Sequence, residues 1–112
     1  MQYYHNPRCS KSRQGLTLLE EKGVSPEIVK YLEDIPTEAE FRKLLAKLDI
    51  APEALVRKGE AYFKEKLKGL SLTDDEWIQV MLENPKLIER PIFVNGTKAI
   101  VGRPPENILD IL

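Results

Sequence analysis

Residues 2–32, QYYHNPRCSKSRQGLTLLEEKGVSPEIVKYL, contain two strand patterns separated by one helical pattern. The first strand is predicted over residues 2–4, and the second over residues 28–32, where β-branched and aromatic side chains cluster. The helix between them has an apolar face and is predicted to end at Gly23, a residue type common at helix C-termini. The segment therefore predicts a βαβ unit with two parallel strands.

The single cysteine lies at the junction between the first strand and this helix. The Asn6-Pro7 pair is a turn signal, and a proline disfavours helical backbone in the residue before it. The helix is therefore predicted to begin at Cys9 or Ser10. A βαβ unit then places Cys9 at the carboxyl end of the first strand.

The middle of the chain is predicted to be helical. Two capping boxes, which begin at Thr37 and Thr73, each precede an apolar stripe of helical period. Shorter helical segments are predicted from Pro52 and over residues 62–67.

The end of the chain predicts a β-hairpin and a last helix. Asn95-Gly96 is typical of a type I′ turn, in which both central residues have positive φ. The last helix is predicted from residue 104, with Leu112 among the residues that face inward.

The element order predicts an α/β protein. Strand, helix, strand, a helical block, a hairpin and a last helix give a four-stranded mixed sheet flanked by helices. This is the thioredoxin-like arrangement, with the central helices as an insertion between the second and third strands. At 112 residues, a single domain over residues 1–112 is expected.

Composition excludes several classes of function. Seventeen Lys and Arg nearly balance eighteen Asp and Glu, so neither nucleic acid nor an anionic membrane is predicted as a partner. One cysteine and one histidine cannot form an internal disulfide or a Cys/His zinc site, so no metal is expected. Without an apolar span or a signal peptide pattern, a cytoplasmic location is the expectation.

The charged residues near Cys9 are more informative than the net charge of the whole chain. Residues 1–19 contain three basic residues and no acidic one, together with the only cysteine and the only histidine. A thiol at a helix N-terminus among cations favours the thiolate, and the same groups attract oxyanions. This pattern indicates attack of a thiol on an oxyanion; the alternative is a basic surface turn with a small buried thiol.

Two side chains near Cys9 have open roles. Ser12 lies on the same face of the first helical turn, where it either donates to the sulfur or caps a backbone group. His5 either orients and titrates with the thiolate or stabilises the turn. The second half of the chain adds three arginines in distinct contexts, for which a solvated surface position is the alternative. They are Arg57, Arg90 and Arg103.

Spacing excludes two related chemistries. A Cys-x5-Arg phosphatase loop needs arginine at position 15, where this chain has Gly15. A vicinal dithiol needs a second cysteine at position 12, where Ser12 stands. An oxidised or adducted Cys9 must therefore be resolved by a thiol from another molecule.

These residues resemble the glutaredoxin-coupled arsenate reductases, a family of the thioredoxin superfamily. The run HNPRCSKSR at residues 5–13 is similar to the family motif HNPxCxxSR. Four further stretches strengthen the resemblance and span nearly the whole chain. They are YLE at 31–33, LVRK at 55–58, ERPI at 89–92 and GRP at 102–104.

The resemblance implies a mechanism and its residues. Cys9 would attack arsenate, glutathione would add to the adduct, and glutaredoxin would release arsenite by taking glutathione as a mixed disulfide. The roles implied for the other residues fall into three groups. His5 and Ser12 would steady the thiolate, Arg57, Arg90 and Arg103 would bind the oxyanion, and Asn6, Arg13 and Pro91 would support the active-site loop.

The resemblance also implies a cis peptide bond between Arg90 and Pro91, no bound cofactor, and glutathione as co-substrate. A monomer is expected. Two other functions stay open: a redox-related regulator that binds RNA polymerase, and a monothiol oxidoreductase acting on glutathione disulfides. Because such regulators carry a CxxC switch, Ser12 argues against the first of these.

Overall fold

Four short strands form one mixed sheet in the computed structural model, which describes all residues, Met1–Leu112. The strands are β1 (Gln2–Tyr4), β2 (Glu27–Val29), β3 (Ile92–Asn95) and β4 (Lys98–Val101). Their order in the sheet is β2-β1-β3-β4. β1 is parallel to β2 and antiparallel to β3, so the predicted βαβ unit and the mixed sheet are confirmed.

Three α-helices and several short helical segments complete the chain. The α-helices are α1 (Ser10–Glu21), α2 (Glu38–Leu48) and α3 (Asp74–Glu83). The short segments are 3₁₀ turns at Pro52–Leu55, Pro85–Leu87 and Pro105–Ile111, and a π-helical turn at Phe63–Leu67. The insertion between β2 and β3 is helical, as predicted. None of these helices has both the length and the apolar character needed to span a membrane.

The residues fall into two compact units. One consists of Met1–Asp34 and Arg90–Leu112, and contains the whole sheet; the other is Ile35–Glu89. The expectation of a single domain for residues 1–112 stays a prediction.

The sheet-containing unit has a core of four fully buried side chains: Tyr3, Leu19, Phe93 and Ile108. Helix α1 and the last 3₁₀ segment pack together over this core. Leu112 is 49% exposed, so the prediction that it faces inward is wrong. The segment ends in a 3₁₀ turn at Ile111, which leaves Leu112 outside the helical face.

In the Ile35–Glu89 unit, both predicted capping boxes are present. Thr37 accepts from the Glu40 N–H and Thr73 from the Glu76 N–H, and each glutamate side chain accepts from the N–H of its threonine. Arg42 of α2 pairs with Asp75 of α3 at 2.9 Å. The helices also share a buried apolar face, which comprises Phe41, Leu44, Leu45, Trp77, Ile78 and Met81.

Strand β2 ends earlier than predicted, at Val29 rather than at residue 32. It is an edge strand whose single partner, β1, has three residues, so its ladder ends where β1 ends. The residues after it form a turn in which the N–H groups of Glu33 and Asp34 donate to the Lys30 carbonyl at 2.9 and 2.8 Å.

The hairpin also differs from its prediction. Asn95 pairs with Lys98, so the two central turn residues are Gly96 and Thr97, and only Gly96 has positive φ, at 63°. Glycine with positive φ at the first central position is the pattern of a type II′ turn, not of a type I′ turn at Asn95-Gly96. A tertiary contact accounts for the shift, because the Asn95 side chain donates to the Ile111 carbonyl at 2.7 Å.

Candidate active site

A tight turn carries the chain from β1 to the cysteine. The His5 N–H donates to the Val29 carbonyl at 2.9 Å, which continues the parallel pairing by one step. The Cys9 N–H then donates to the Asn6 carbonyl at 3.0 Å, and the Asn6 Oδ1 accepts from the Arg8 N–H at 3.0 Å. Cys9 is the N-cap residue of α1, with extended backbone, so its predicted position at the helix N-terminus is confirmed.

The loops before β3 and after β4 bring two arginines to Cys9. Arg103 Nη2 donates to Cys9 Sγ at 3.5 Å, while its Nε donates to the Arg90 carbonyl at 2.7 Å. The half-buried sulfur therefore lies beside a guanidinium whose orientation is set by a second bond.

The Cys9 pKa reflects opposing effects. Burial raises it, but the backbone N–H of Ser12, the guanidinium of Arg90 and the backbone N–H of Lys11 together outweigh burial. The pKa of Cys9 therefore lies below its ordinary value. Backbone N–H groups of a first helical turn and an adjacent cation are the features that stabilise a thiolate.

Ser12 and His5 form a buried pair beneath the cysteine turn. Ser12 is fully buried, and its Oγ accepts from the Asn6 N–H at 3.0 Å and lies 2.7 Å from His5 Nδ1. Burial, with Lys30 and Arg13 nearby, lowers the pKa of His5, so the neutral ring is favoured. We assign the Ser12 proton to His5 Nδ1, because otherwise the buried hydroxyl hydrogen has no acceptor.

The contacts of this pair show which groups the Ser12 and His5 side chains bind. The Ser12 hydroxyl bonds with His5 and the Asn6 N–H rather than with the Cys9 sulfur, and Ser12 acts on the sulfur through its backbone N–H. His5 contacts the cysteine turn through Ser12, whose hydroxyl binds the Asn6 N–H.

Arg13 and Pro91 both contact the loops of the site. Arg13 Nη1 donates to the Pro7 carbonyl at 3.0 Å. The peptide bond before Pro91 is cis, as predicted, and the Pro91 carbonyl accepts from the Gly102 N–H at 2.8 Å. The bond between Arg103 and Pro104 is cis as well, which the sequence patterns did not predict.

Arg57 belongs to the Ile35–Glu89 unit. Its backbone N–H donates to the Leu87 carbonyl at 2.7 Å. Its guanidinium lies 3.7 Å from a carboxylate oxygen of Glu89 and 3.8 Å from one of Glu60. Of the three predicted arginines, the structure thus brings Arg90 and Arg103 together with Cys9 and surrounds Arg57 with carboxylates.

Tyr3 is a site residue that the sequence patterns missed. Its buried hydroxyl donates to the Ser12 carbonyl at 2.6 Å. Burial raises the pKa of Tyr3 despite its bond to Ser12, so the hydroxyl stays neutral and acts as a donor. The available signal was Gly15, whose missing side chain leaves room for this hydroxyl against helix α1.

No three side chains among His, Cys, Asp and Glu lie close enough to hold a metal ion together. The site brings together one thiol of lowered pKa, two guanidinium groups and the backbone N–H groups of a helix N-terminus. Together with the four-stranded mixed sheet and the cis-proline loop, these features define a thioredoxin-like thiol protein.

Comparison with known proteins identifies the family to which the chain belongs. Residues 4–111 match the ArsC family. An arsenate reductase from Haemophilus influenzae is 44% identical, over 97% of this chain and 96% of its own length. One from Escherichia coli is 42% identical, over 97% of this chain and 78% of its own length. The solved structure of an arsenate reductase from Vibrio cholerae has 46% identity and a TM-score of 0.94, covering 100% of this chain and 98% of that one. The chain belongs to the ArsC family.

Proposed function

We propose that this protein reduces arsenate to arsenite, with Cys9 as the nucleophile and with glutathione and glutaredoxin as the source of electrons. The observation that carries the proposal is the distance of 3.5 Å between the Arg103 guanidinium and Cys9 Sγ. The pKa of this thiol also lies below its ordinary value. A thiolate beside a guanidinium is arranged to attack a bound oxyanion. The relatives named arsenate reductase, at 42–44% identity, support the choice of substrate.

In the first step, Cys9 Sγ forms a bond to arsenic, and one arsenate oxygen leaves as water after protonation. Arg90 and Arg103 stabilise the oxyanion during this displacement, as guanidinium groups bind tetrahedral oxyanions through paired hydrogen bonds. The resemblance to the family adds Arg57 to the proposed oxyanion ligands; in the structure its guanidinium lies 3.7 Å from Glu89 and 3.8 Å from Glu60.

In the second step, the glutathione sulfur replaces another arsenic-bound oxygen, which also leaves as water. The glutaredoxin thiolate then attacks the glutathione sulfur, and the sulfur–arsenic bond breaks with its electron pair staying on arsenic. As(V) becomes As(III), and two thiols become one mixed disulfide. Water finally displaces the Cys9 thiolate and releases arsenite.

The need for outside thiols follows from the sequence. The chain contains one cysteine, so the two thiols that are oxidised must come from other molecules. Glutathione is thus a co-substrate, not a bound cofactor, and glutaredoxin is the protein partner. A cytoplasmic monomer, in a compartment that keeps thiols reduced, is part of the same proposal.

A coupled assay tests the proposal. NADPH consumption is followed with arsenate, glutathione, glutaredoxin and glutathione reductase, using wild type and Cys9→Ser. We expect turnover with wild type alone, because a hydroxyl is a far weaker nucleophile than a thiolate. Omitting either glutathione or glutaredoxin is expected to abolish it.

The same assay separates the alternatives. Turnover of a protein–glutathione disulfide without turnover of arsenate would replace the proposal with a monothiol oxidoreductase. Arsenate turnover that persists without glutaredoxin would retain the substrate and remove the proposed partner.

A further inference from the structure

A cleft of about 360 Å³ lies between the cysteine turn and the turn that follows β2. Its lining includes His5, Asn6 and Arg8 from the first turn, and Lys30 and Glu33 from the second. The volume is within the range of small-molecule sites. Asn6 and Arg8 belong to the turn that ends at Cys9, whose N–H donates to the Asn6 carbonyl at 3.0 Å.

Two polar side chains that are largely buried line this cleft. His5 and Asn6 are each 7% exposed. His5 uses Nδ1 for Ser12, so its Nε2 carries the proton and has no hydrogen-bond partner in the protein. The Asn6 side chain uses Oδ1 as an acceptor, which leaves its Nδ2 for a ligand. Neither donor atom is among the buried side-chain atoms without a hydrogen-bond partner, so both reach solvent and can donate to a ligand.

The charges around the cleft select the kind of ligand. Arg8 and Lys30 are cations, and Glu33 is an anion held on the same short turn as Lys30. Glu33 repels a bare oxyanion, whereas a ligand with two carboxylates and one ammonium group complements all three charges. Glutathione has this set of charges.

We propose that this cleft binds glutathione and presents its thiol beside Cys9; the inference rests on the proposed function. Lys30 and Arg8 bind the two carboxylates, Glu33 binds the ammonium group, and His5 Nε2 and Asn6 Nδ2 donate to the peptide portion or to a carboxylate.

A second cleft also borders the first turn of α1, and its residues include Ser10, Arg13, Gln14 and Glu106. It has one cation and one anion, so it leaves one carboxylate of glutathione without a partner. It also lacks a largely buried polar side chain such as His5 or Asn6. We therefore favour the cleft at Lys30 and Glu33, and the experiment distinguishes the two.

The test is titration of S-methylglutathione, a thioether that can neither form a disulfide nor bond to arsenic. Calorimetry and amide NMR shifts are measured for wild type, Lys30→Gln and Glu33→Gln. We expect each variant to bind about five- to tenfold more weakly than wild type, since each loses one charge-assisted contact. The controls are Lys22→Gln and Glu21→Gln, which remove the same charges from exposed positions of the same unit and should leave binding unchanged.

An analogue that lacks the α-amino group sharpens the test. This analogue should bind wild type more weakly than S-methylglutathione does. The two ligands should bind Glu33→Gln with equal affinity. Equal affinities for wild type, Lys30→Gln and Glu33→Gln, no binding to wild type, or NMR shifts confined to Ser10, Gln14 and Glu106 would each overturn the inference.

This binding experiment contains no arsenate, so its result is independent of the proposed reaction. Binding that depends on Lys30 and Glu33, together with absent arsenate turnover, would support the cleft and remove the proposed function. Arsenate turnover with an unchanged KM for glutathione in Lys30→Gln would do the reverse.

Discussion

The groups that lower the pKa of Cys9 come from its own helix and from a loop far away in the sequence. The backbone N–H groups of Ser12 and Lys11 come from the helix that it caps, and Arg90 comes from the loop before β3. Burial alone would have the opposite effect on the pKa. Of these groups, the Arg90 guanidinium is the one that a side-chain substitution removes, so Arg90 is the position at which thiol reactivity should change.

Arg90→Gln is expected to raise the pKa of Cys9, because it removes both a charge and a hydrogen-bond donor from the thiolate. Alkylation by iodoacetamide, measured across pH, should show its inflection at higher pH and a rate at neutral pH that is several-fold lower. Lys11→Gln is the matched control, since it removes a nearby charge but keeps the backbone N–H. An equal shift in both variants would mean that net charge, not the Arg90 contact, lowers the pKa.

Ser12→Ala is expected to destabilise the protein by about 1–3 kcal/mol, because the Asn6 N–H and His5 Nδ1 lose their buried partner. Urea unfolding measures the change in the free energy of unfolding. Ser10→Ala, at an exposed position two residues earlier, should change it by less than about 0.5 kcal/mol. Similar effects of the two substitutions would contradict the buried network.

His5 is the only histidine, so its titration can be followed by NMR without assignment. Burial and nearby cations lower its pKa in the folded state, so the ring should titrate below 6.5. The unfolded state then binds the proton more readily, and stability should fall as pH drops below 6.5 and be restored above it. A folded-state pKa at or above 6.5 would show that the ring is not held neutral.

Helix α1 lies close enough to β1 for the Tyr3 hydroxyl to donate to the helix backbone at the Ser12 carbonyl. Gly15 makes this approach possible, because a Cβ at that position would overlap the hydroxyl and would lie 3.4 Å from Pro91 Cγ. The packing thus connects the sheet, the helix that Cys9 caps and the cis-proline loop.

Gly15→Ala is expected to destabilise the protein by about 1–3 kcal/mol through this overlap. Alanine in an ordinary helix interior would instead be stabilising by about 0.5–1 kcal/mol relative to glycine. Tyr3→Phe removes the hydroxyl, so the cost of Gly15→Ala should be smaller in that background. Chemical denaturation of the two single variants and the double variant measures the coupling. If Gly15→Ala stabilises the wild-type background, the proposed overlap is absent.

Local patterns predicted some elements well and others poorly. Helices α2 and α3 were predictable because a capping box and an apolar stripe lie within a dozen residues of one another. The turn type of the hairpin was not, because the Asn95 side chain contacts Ile111 far along the chain. Strand β2 ends where its partner β1 ends, and the apolar residues of β2 do not encode the length of β1.

The site combines residues from both ends of the chain. Cys9 and Arg103 are 94 positions apart, yet the sheet order β2-β1-β3-β4 places the loops that carry them together. No spacing rule connects such residues, so their association was predictable only through resemblance to a family. The contacts of Tyr3 and the pairing of Ser12 with His5 needed the structure.

Arsenite formation is the direct readout of the proposal that arsenate is reduced while bound to the Cys9 sulfur. Arsenic speciation by chromatography is measured after incubation of arsenate, glutathione and glutaredoxin with wild type or with Cys9→Ser. We expect arsenite with wild type and none above background with Cys9→Ser. Equal arsenite with both proteins, or none with a folded wild type whose Cys9 reacts readily with iodoacetamide, would contradict it.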